Sequence, residues 1–341
     1  MIVYVNAAGC HLSCRHCAVN GGLPTGRFYS LDELRAIAGE WGPIGPYFEV
    51  TAHPDFPEIM DRQIVGDDCD ILGTTGFGLA ERADYTAVFN RLRELGYNRI
   101  FSTLHGLEKK HDWFVRREGA FERLLKTSRK AAEAGFGIIW SVFLDRQNLE
   151  DIPQLQVLGK QEVGLSALYL EVPRHRVSRR MVMYEQLRPR LGDVKKLLEG
   201  MDPETWTGWL KDRPLEDLTE SAWLNAWKKE PYSDEFMGRR DPKSWPAPPR
   251  FDEIIYIHEN RQVFLDPQLG ERIFLGELSD GKAEIIRRIQ HVPAPPFSDI
   301  SPEEAKLPQD DSDLLHPHGH SVRCKAVSTA VYGERTSSKY G

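Results

Sequence analysis

The chain has 341 residues, 40% of them hydrophobic and 28% charged, with a formal net charge of −7. That size suits one large globular domain with an appendage, and the acidic balance without a Lys/Arg block disfavours nucleic acid as a partner. No apolar run reaches the roughly 18 residues of a membrane span, and the opening MIVYVNAAGC lacks the charged and apolar regions of a signal peptide, so a cytoplasmic, reducing location is expected.

Residues 2–6 (IVYVN) read as a short buried strand, and a cysteine-bearing loop follows at once. Ser30 caps a helix that runs to about Trp41, with Glu33 completing a capping box. Further strands are expected at Tyr47–Thr51, Asp70–Thr75, Arg99–Leu104, Gly137–Leu144 and Ala167–Val172. Helices are expected between them over Ala83–Gly96, Gly119–Ala134 and Gln154–Glu162. Such alternation gives parallel strands joined by crossover helices. The fold class is therefore α/β: a partial (β/α)6 TIM-like barrel over residues 1–175 with a C-terminal α+β extension.

After Pro173 the texture changes. Residues 176–290 are expected to hold a helical segment, a Pro-rich break at 238–250 and a hairpin over Phe251–Leu278 turning near Asn260. Trp223 and Trp227, four residues apart, read as a helix face packed on the barrel. Residues 291–341 read as a Pro- and His-containing, partly flexible tail. His316, His318 and His320 within it could bind a metal, but a flexible tail is the preferred reading.

The five cysteines are Cys10, Cys14, Cys17, Cys69 and Cys324. Three of them crowd into one C-x3-C-x2-C loop, which points to metal rather than disulfides. Three thiolates on a short loop can ligate three irons of a [4Fe–4S] cube and leave the fourth iron open. Zinc is the alternative, with His11 or His16 as fourth ligand. Cys69 precedes the third strand, at the opposite rim, and reads as structural.

This motif, set directly after the first strand of a strand–helix series, resembles the radical S-adenosylmethionine (radical SAM) superfamily, over residues 2–173. The resemblance implies one [4Fe–4S] cluster on Cys10, Cys14 and Cys17, with its open iron chelating the amino and carboxylate groups of SAM. It also implies reductive cleavage of SAM to a 5′-deoxyadenosyl radical that takes hydrogen from a substrate. His16 matches the aromatic position near adenine. Thr51-Ala52-His53-Pro54 aligns with the family's Gly-Gly-Glu-Pro turn, which holds the SAM amino group. Only the proline is kept, which implies a divergent subfamily. Thr74-Thr75-Gly76 resembles the Thr-Asn-Gly turn after strand three, with Thr75 as the cofactor contact. By the same resemblance Ser102 and His105 face the ribose or the substrate, with His105 a candidate catalytic group. Ser141 meets the SAM carboxylate, Asn148 supplies a polar group, and the backbone atoms of Glu171 and Val172 meet adenine. Cys324 is a candidate hydrogen donor to a product radical.

The C-terminal hairpin resembles a SPASM or twitch extension, but it has no cysteine, so no auxiliary cluster is expected. A chain beginning at strand one is expected to carry no N-terminal peptide-recognition or cobalamin domain. The expected substrate is a small polar metabolite (a sugar, nucleoside or aminoglycoside-like compound of specialised metabolism), with an external electron donor such as flavodoxin or ferredoxin. A peptide-modifying radical SAM enzyme, and a zinc or iron–sulfur module without turnover, are the competing readings.

Overall fold

The computed structural model describes residues 2–17, 28–47, 49–66, 70–173, 184–208, 210–211, 213–229, 254–266, 272–292, 312–316 and 319–332. The first strand, β1 (Ile2–Asn6), leads through the cysteine loop to helix α1 (Leu31–Trp41). Ser30 and Glu33 form the expected capping box at the start of α1, which buries Leu34, Ile37, Ala38 and Trp41. Strand β2 (Ile44–Tyr47) pairs in parallel with β1. The expected strand over Tyr47–Thr51 is thus displaced: pairing ends at Tyr47, and Val50–Ala52 is a 3-10 turn. Short helix α2 (Arg62–Val65) follows, then β3 (Ile71–Gly73), the single turn α3 (Phe77–Ala80), α4 (Tyr85–Glu94) and β4 (Arg99–Leu104). Helices α5 (Glu108–Val115) and α6 (Ala120–Glu133) precede β5 (Gly137–Phe143). Helix α7 (Ile152–Val163) and β6 (Ala167–Glu171) complete the alternating part.

Beyond it lie α8 (Leu191–Glu199), β7 (Trp206–Thr207), α9 (Glu220–Lys229), β8 (Ile254–Ile257), β9 (Gln262–Leu265), β10 (Ile273–Glu277), α10 (Lys282–Ile289) and α11 (Gly319–Tyr332). Two five-stranded sheets result, in the orders β10-β9-β8-β1-β2 and β3-β4-β5-β6-β7. The strands of the C-terminal hairpin join the sheet of β1 and β2. Strand β8 pairs in parallel with β1, Val3 opposite Ile255 and Val5 opposite Ile257, so it continues the barrel wall. This pairing occupies the second edge of a strand whose Val3 and Val5 are buried. Strand β2 is the edge of its sheet among the described residues, and it contains Pro46, a residue tolerated at sheet edges.

Helix α9 buries Trp223 and Trp227 in the main core, as their spacing suggests. The expectation of a flexible tail fails over the described part of residues 312–332. Leu314 and Leu315 bridge to Arg190 and Thr219, and α11 packs on α9. A buried polar network fixes this end. Glu220 Oε2 accepts from Lys325 Nζ at 2.7 Å and from His316 Nε2 at 3.1 Å. Glu185 pairs with the wholly buried Arg188 at 2.6 Å. His316 Nδ1 lies 3.1 Å from Ser321 Oγ, so both of its ring nitrogens are engaged inside the protein. Residues 317–318 and Cys69 lie outside the described residues, as does the His320 side chain.

Candidate active site

Parallel α/β barrels bind ligands over the C-terminal ends of their strands. Here a cavity of about 610 Å³ extends from those ends towards the strand starts, where Ile44, Ile71 and Tyr97 line it. Cys14 and His16 line it from the loop after β1, and Glu49 and Val50 from the loop after β2. Thr74 and Thr75 line it from after β3, with Thr103, His105 and Phe143 from β4 and β5.

The cysteine loop is fixed by backbone bonds. Gly9 turns it with φ +72°, and Asn6 Oδ1 accepts the Gly9 N–H at 2.9 Å. Ser13 N–H donates to Val115 O at 3.1 Å and Arg15 N–H to Phe114 O at 3.0 Å, seating the loop on the end of α5. Leu12, Phe77, Val115 and Ala120 form an apolar cluster against which Cys10 and Cys14 pack. Burial pushes the Cys10 thiol up to about 12, and the negative charges of Glu49 and Cys17 add to the rise. Such a thiol becomes a good thiolate ligand only when a metal compensates its charge. Leu12 N–H points at Cys10 Sγ from 3.4 Å, the kind of N–H···S contact that supports metal-bound sulfur. Apolar walls, a directed N–H and three sulfurs on one loop fit an iron–sulfur cluster.

Glu49, which sequence reasoning missed, is the polar hub of the rim. It is 1% exposed. Its carboxylate accepts from Thr74 Oγ1 at 2.7 Å, from Thr51 N–H at 3.3 Å, and closely from Thr51 Oγ1 and Thr75 N–H. Its own N–H donates to Gly9 O at 2.9 Å. The turn bearing Thr51 and Ala52 is therefore tied both to the cysteine loop and to the end of β3.

His16 lies in an aromatic box, its ring centroid 5.1 Å from His105, 5.2 Å from Phe114 and 5.4 Å from Phe143. His105 stacks on Phe114 at 4.0 Å, and its N–H donates to His111 Nδ1 at 3.3 Å. Burial drives the His105 ring pKa well below its ordinary value, and its Nδ1 has no hydrogen-bond partner. A neutral imidazole with an uncommitted nitrogen thus borders the cavity.

Several expected site residues point elsewhere. His53 is buried and satisfied: Nε2–H donates to Tyr29 O at 2.7 Å and Nδ1 accepts the Asp55 N–H at 3.0 Å. No ring nitrogen is left for a ligand. Ser102 shares the Ile100 and Leu104 face of β4, towards the helices, because successive strand residues alternate faces. Thr103 takes the cavity side instead. Asn148 caps its own turn, donating from Nδ2 to Phe143 O at 2.7 Å and accepting the Asp145 N–H at 2.9 Å. Glu171 O accepts the Leu144 N–H at 2.8 Å and the Val172 side chain lies in the hydrophobic core, neither of which bears on the expected backbone contact with adenine. Cys324 is buried on α11 against α9 and does not border the cavity. Ser141 pairs with Thr103 and Tyr169 and shares the strand face of Phe143; it is not among the cavity-lining residues, and its buried hydroxyl has no hydrogen-bond partner among the described residues.

A parallel barrel with a three-cysteine loop over its strand ends defines a metal-dependent α/β class of protein. Residues 6–156 match the Radical SAM superfamily model, and this segment of the chain is a radical SAM domain. A curated relative, the AdoMet-dependent heme synthase of Methanosarcina barkeri, is 27% identical over 179 residues, which are 50% of this chain and 49% of that protein. The chain thus spans about half the length of the curated relative it matches. Streptococcus suis SuiB bound to S-adenosylmethionine has a similar fold, with a TM-score of 0.52 at 11% identity over 84% of this chain and 65% of SuiB. SuiB bound to its precursor peptide SuiA gives a TM-score of 0.50 at 12% identity over 77% and 58% of the two chains. At these identities the likeness is one of fold. Among the described residues, no helix is long and apolar enough to cross a membrane.

Proposed function

We propose that the chain is a radical SAM enzyme acting on a small polar metabolite of the sugar, nucleoside or aminoglycoside class, in specialised metabolism. One observation carries the reading: an apolar-backed three-cysteine loop stands at the mouth of a cavity of about 610 Å³, a size suited to SAM and a small substrate. Cys10, Cys14 and Cys17 would hold a [4Fe–4S] cluster, which with SAM supplies one-electron reductive chemistry and a 5′-deoxyadenosyl radical. An external electron donor is required.

The chain's own residues bind, orient and exclude water. Leu12, Phe77, Val115 and Ala120 shield the sulfurs. Glu49 holds the Thr51–Ala52 turn and Thr75 in place as the rim that meets the methionine end of SAM. Ser141 offers a hydroxyl to a carboxylate, and the box around His16 offers flat rings to adenine. His105, neutral, is placed to donate or accept one hydrogen bond at the substrate.

The test is anaerobic reconstitution followed by assay with SAM and dithionite. The expected result is on the order of four irons and four sulfides per chain, with 5′-deoxyadenosine formed. A Cys14→Ala variant should lose both. One zinc per chain without sulfide would end the proposal. Formation of 5′-deoxyadenosine that rises with an added peptide but not with small metabolites would turn the substrate class to peptides.

A further inference from the structure

The outer side of the cysteine loop carries a cluster of positive charge. Arg15 lies one residue after Cys14, with its guanidinium 3.8 Å from the Trp113 ring centroid and its Nε donating to Trp113 O at 3.1 Å. Trp113 is 42% exposed, one of few large apolar side chains so open among the described residues. Arg116 and Arg117 are exposed at the end of α5. Arg117 and Arg123 both stand over the Phe77 ring, at 4.9 and 4.4 Å. That ring stacks on His11, the neighbour of Cys10, at 5.2 Å.

Among the described residues Arg15, Arg116, Arg117 and Arg123 make no ion pair. Elsewhere Arg91, Arg99, Arg188 and Arg288 are all matched by carboxylates. Glu118 and Glu122 lie in the same stretch and are exposed, so the patch is net positive rather than purely basic. Asp112 is spent internally, accepting the Gly119 N–H at 2.6 Å and the Phe121 N–H at 2.9 Å. None of the four arginines lines the cavity. A partner seated on them approaches the cysteine loop without occupying the cavity lining.

We infer that Arg15, Arg116, Arg117, Arg123 and Trp113 form the docking surface for an acidic one-electron carrier protein. The inference rests on the radical SAM reading, which requires such a donor and places its acceptor directly behind this loop. Unpaired like charges cost stability and are kept where an opposite surface will meet them, steering encounter and fixing orientation. The exposed indole adds the apolar contact that small transient interfaces centre on. The carrier is oxidised by one electron, the acceptor behind the loop is reduced by one, and no bond forms or breaks.

The experiment measures binding first, because binding needs neither SAM nor turnover. Labelled, oxidised flavodoxin is titrated with the full chain by fluorescence anisotropy at about 0.02 M and about 0.2 M salt. Binding should weaken steeply with salt. An Arg117→Glu/Arg123→Glu variant should bind at least about tenfold more weakly, with a flatter salt dependence. An Arg117→Gln/Arg123→Gln variant, which only removes charge, should fall between the two and guards against a folding defect. In the reconstituted protein the Glu variant should keep dithionite-driven 5′-deoxyadenosine formation within twofold and lose flavodoxin-driven formation at least about tenfold. Undiminished flavodoxin binding by the Glu variant would overturn the inference. So would equal binding of a single-stranded oligonucleotide, or equal loss with both reductants. Failure of dithionite-driven cleavage in the unaltered protein, with patch-dependent binding intact, would instead count against the proposed chemistry.

Discussion

Glu49 accepts a hydrogen bond from Thr74 Oγ1 at 2.7 Å, across the line where β2 and β3 share no ladder. Among the described residues the barrel wall has a seam there, and the Glu49 carboxylate spans it. Replacing Glu49 by Gln keeps the shape but puts an NH2 group among donors. Losing a charge-assisted, buried acceptor of this kind costs about 2–4 kcal/mol. Urea unfolding of Glu49→Gln should show a loss of that size, and SAM binding should weaken with it. An unchanged midpoint would mean that the seam is held by other contacts.

Glu49 also shows where the sequence was readable and where it was not. The cysteine loop, the Ser30–Glu33 capping box and β4 lie where local signals put them, because each depends on residues close in the chain. Glu49 is one acid among apolar neighbours, and Thr74 is 25 positions away, so no local pattern marks it. Ser102 was misassigned because β4 is flanked on both faces by protein, which erases the polar–apolar alternation that would reveal its facing. His53 resembles a loop histidine in sequence, yet its bond to Tyr29 O spans 24 residues. His316 sits in a Pro- and His-rich stretch whose composition suggests a loose tail, but its partner Glu220 is 96 residues away.

The buried histidines give the fold a definite pH dependence. Burial holds His111 down at about 4 and His105 well below its ordinary value, so both are neutral in the folded chain. Unfolded, each titrates near 6.5. Between those values the unfolded state binds more protons, so stability is fully present above about pH 6.5 and falls as the pH drops towards 4. His111 alone accounts for at most about 3 kcal/mol of that loss. Urea midpoints between pH 4.5 and 7 should fall with acidity, and less steeply in His111→Gln. A variant with the same slope as the unaltered protein would show that His111 is not the titrating group.

The network under α11 makes a prediction about charge balance. Lys325 is 5% exposed and stands 2.7 Å from Glu220 and 3.6 Å from Glu185. Changing Lys325 to Met alone strands buried carboxylate charge and should cost about 3–5 kcal/mol. Adding Glu220→Gln removes the stranded charge, so the double variant should be more stable than Lys325→Met alone. Thermal or urea unfolding of the two single variants and the double measures the coupling directly. Additive losses would mean that the pair does not interact in the folded chain.

Ser141 separates function from packing most sharply. Its hydroxyl is fully buried on the Phe143 face of β5 beside Thr103, with no hydrogen-bond partner among the described residues. An unsatisfied buried hydroxyl is a cost of about 1–3 kcal/mol, which a packing role would not explain. Removing it in Ser141→Ala should therefore leave the ligand-free protein as stable as before, or more stable by up to about 1 kcal/mol. If the hydroxyl exists to meet a SAM carboxylate, the same change should weaken SAM binding by about tenfold, the value of one hydrogen bond to a charged group. Thermal melts with and without SAM report both effects in one preparation. A lower melting point without ligand, together with an unchanged shift on adding SAM, would make Ser141 a packing residue and move the carboxylate contact elsewhere on the rim.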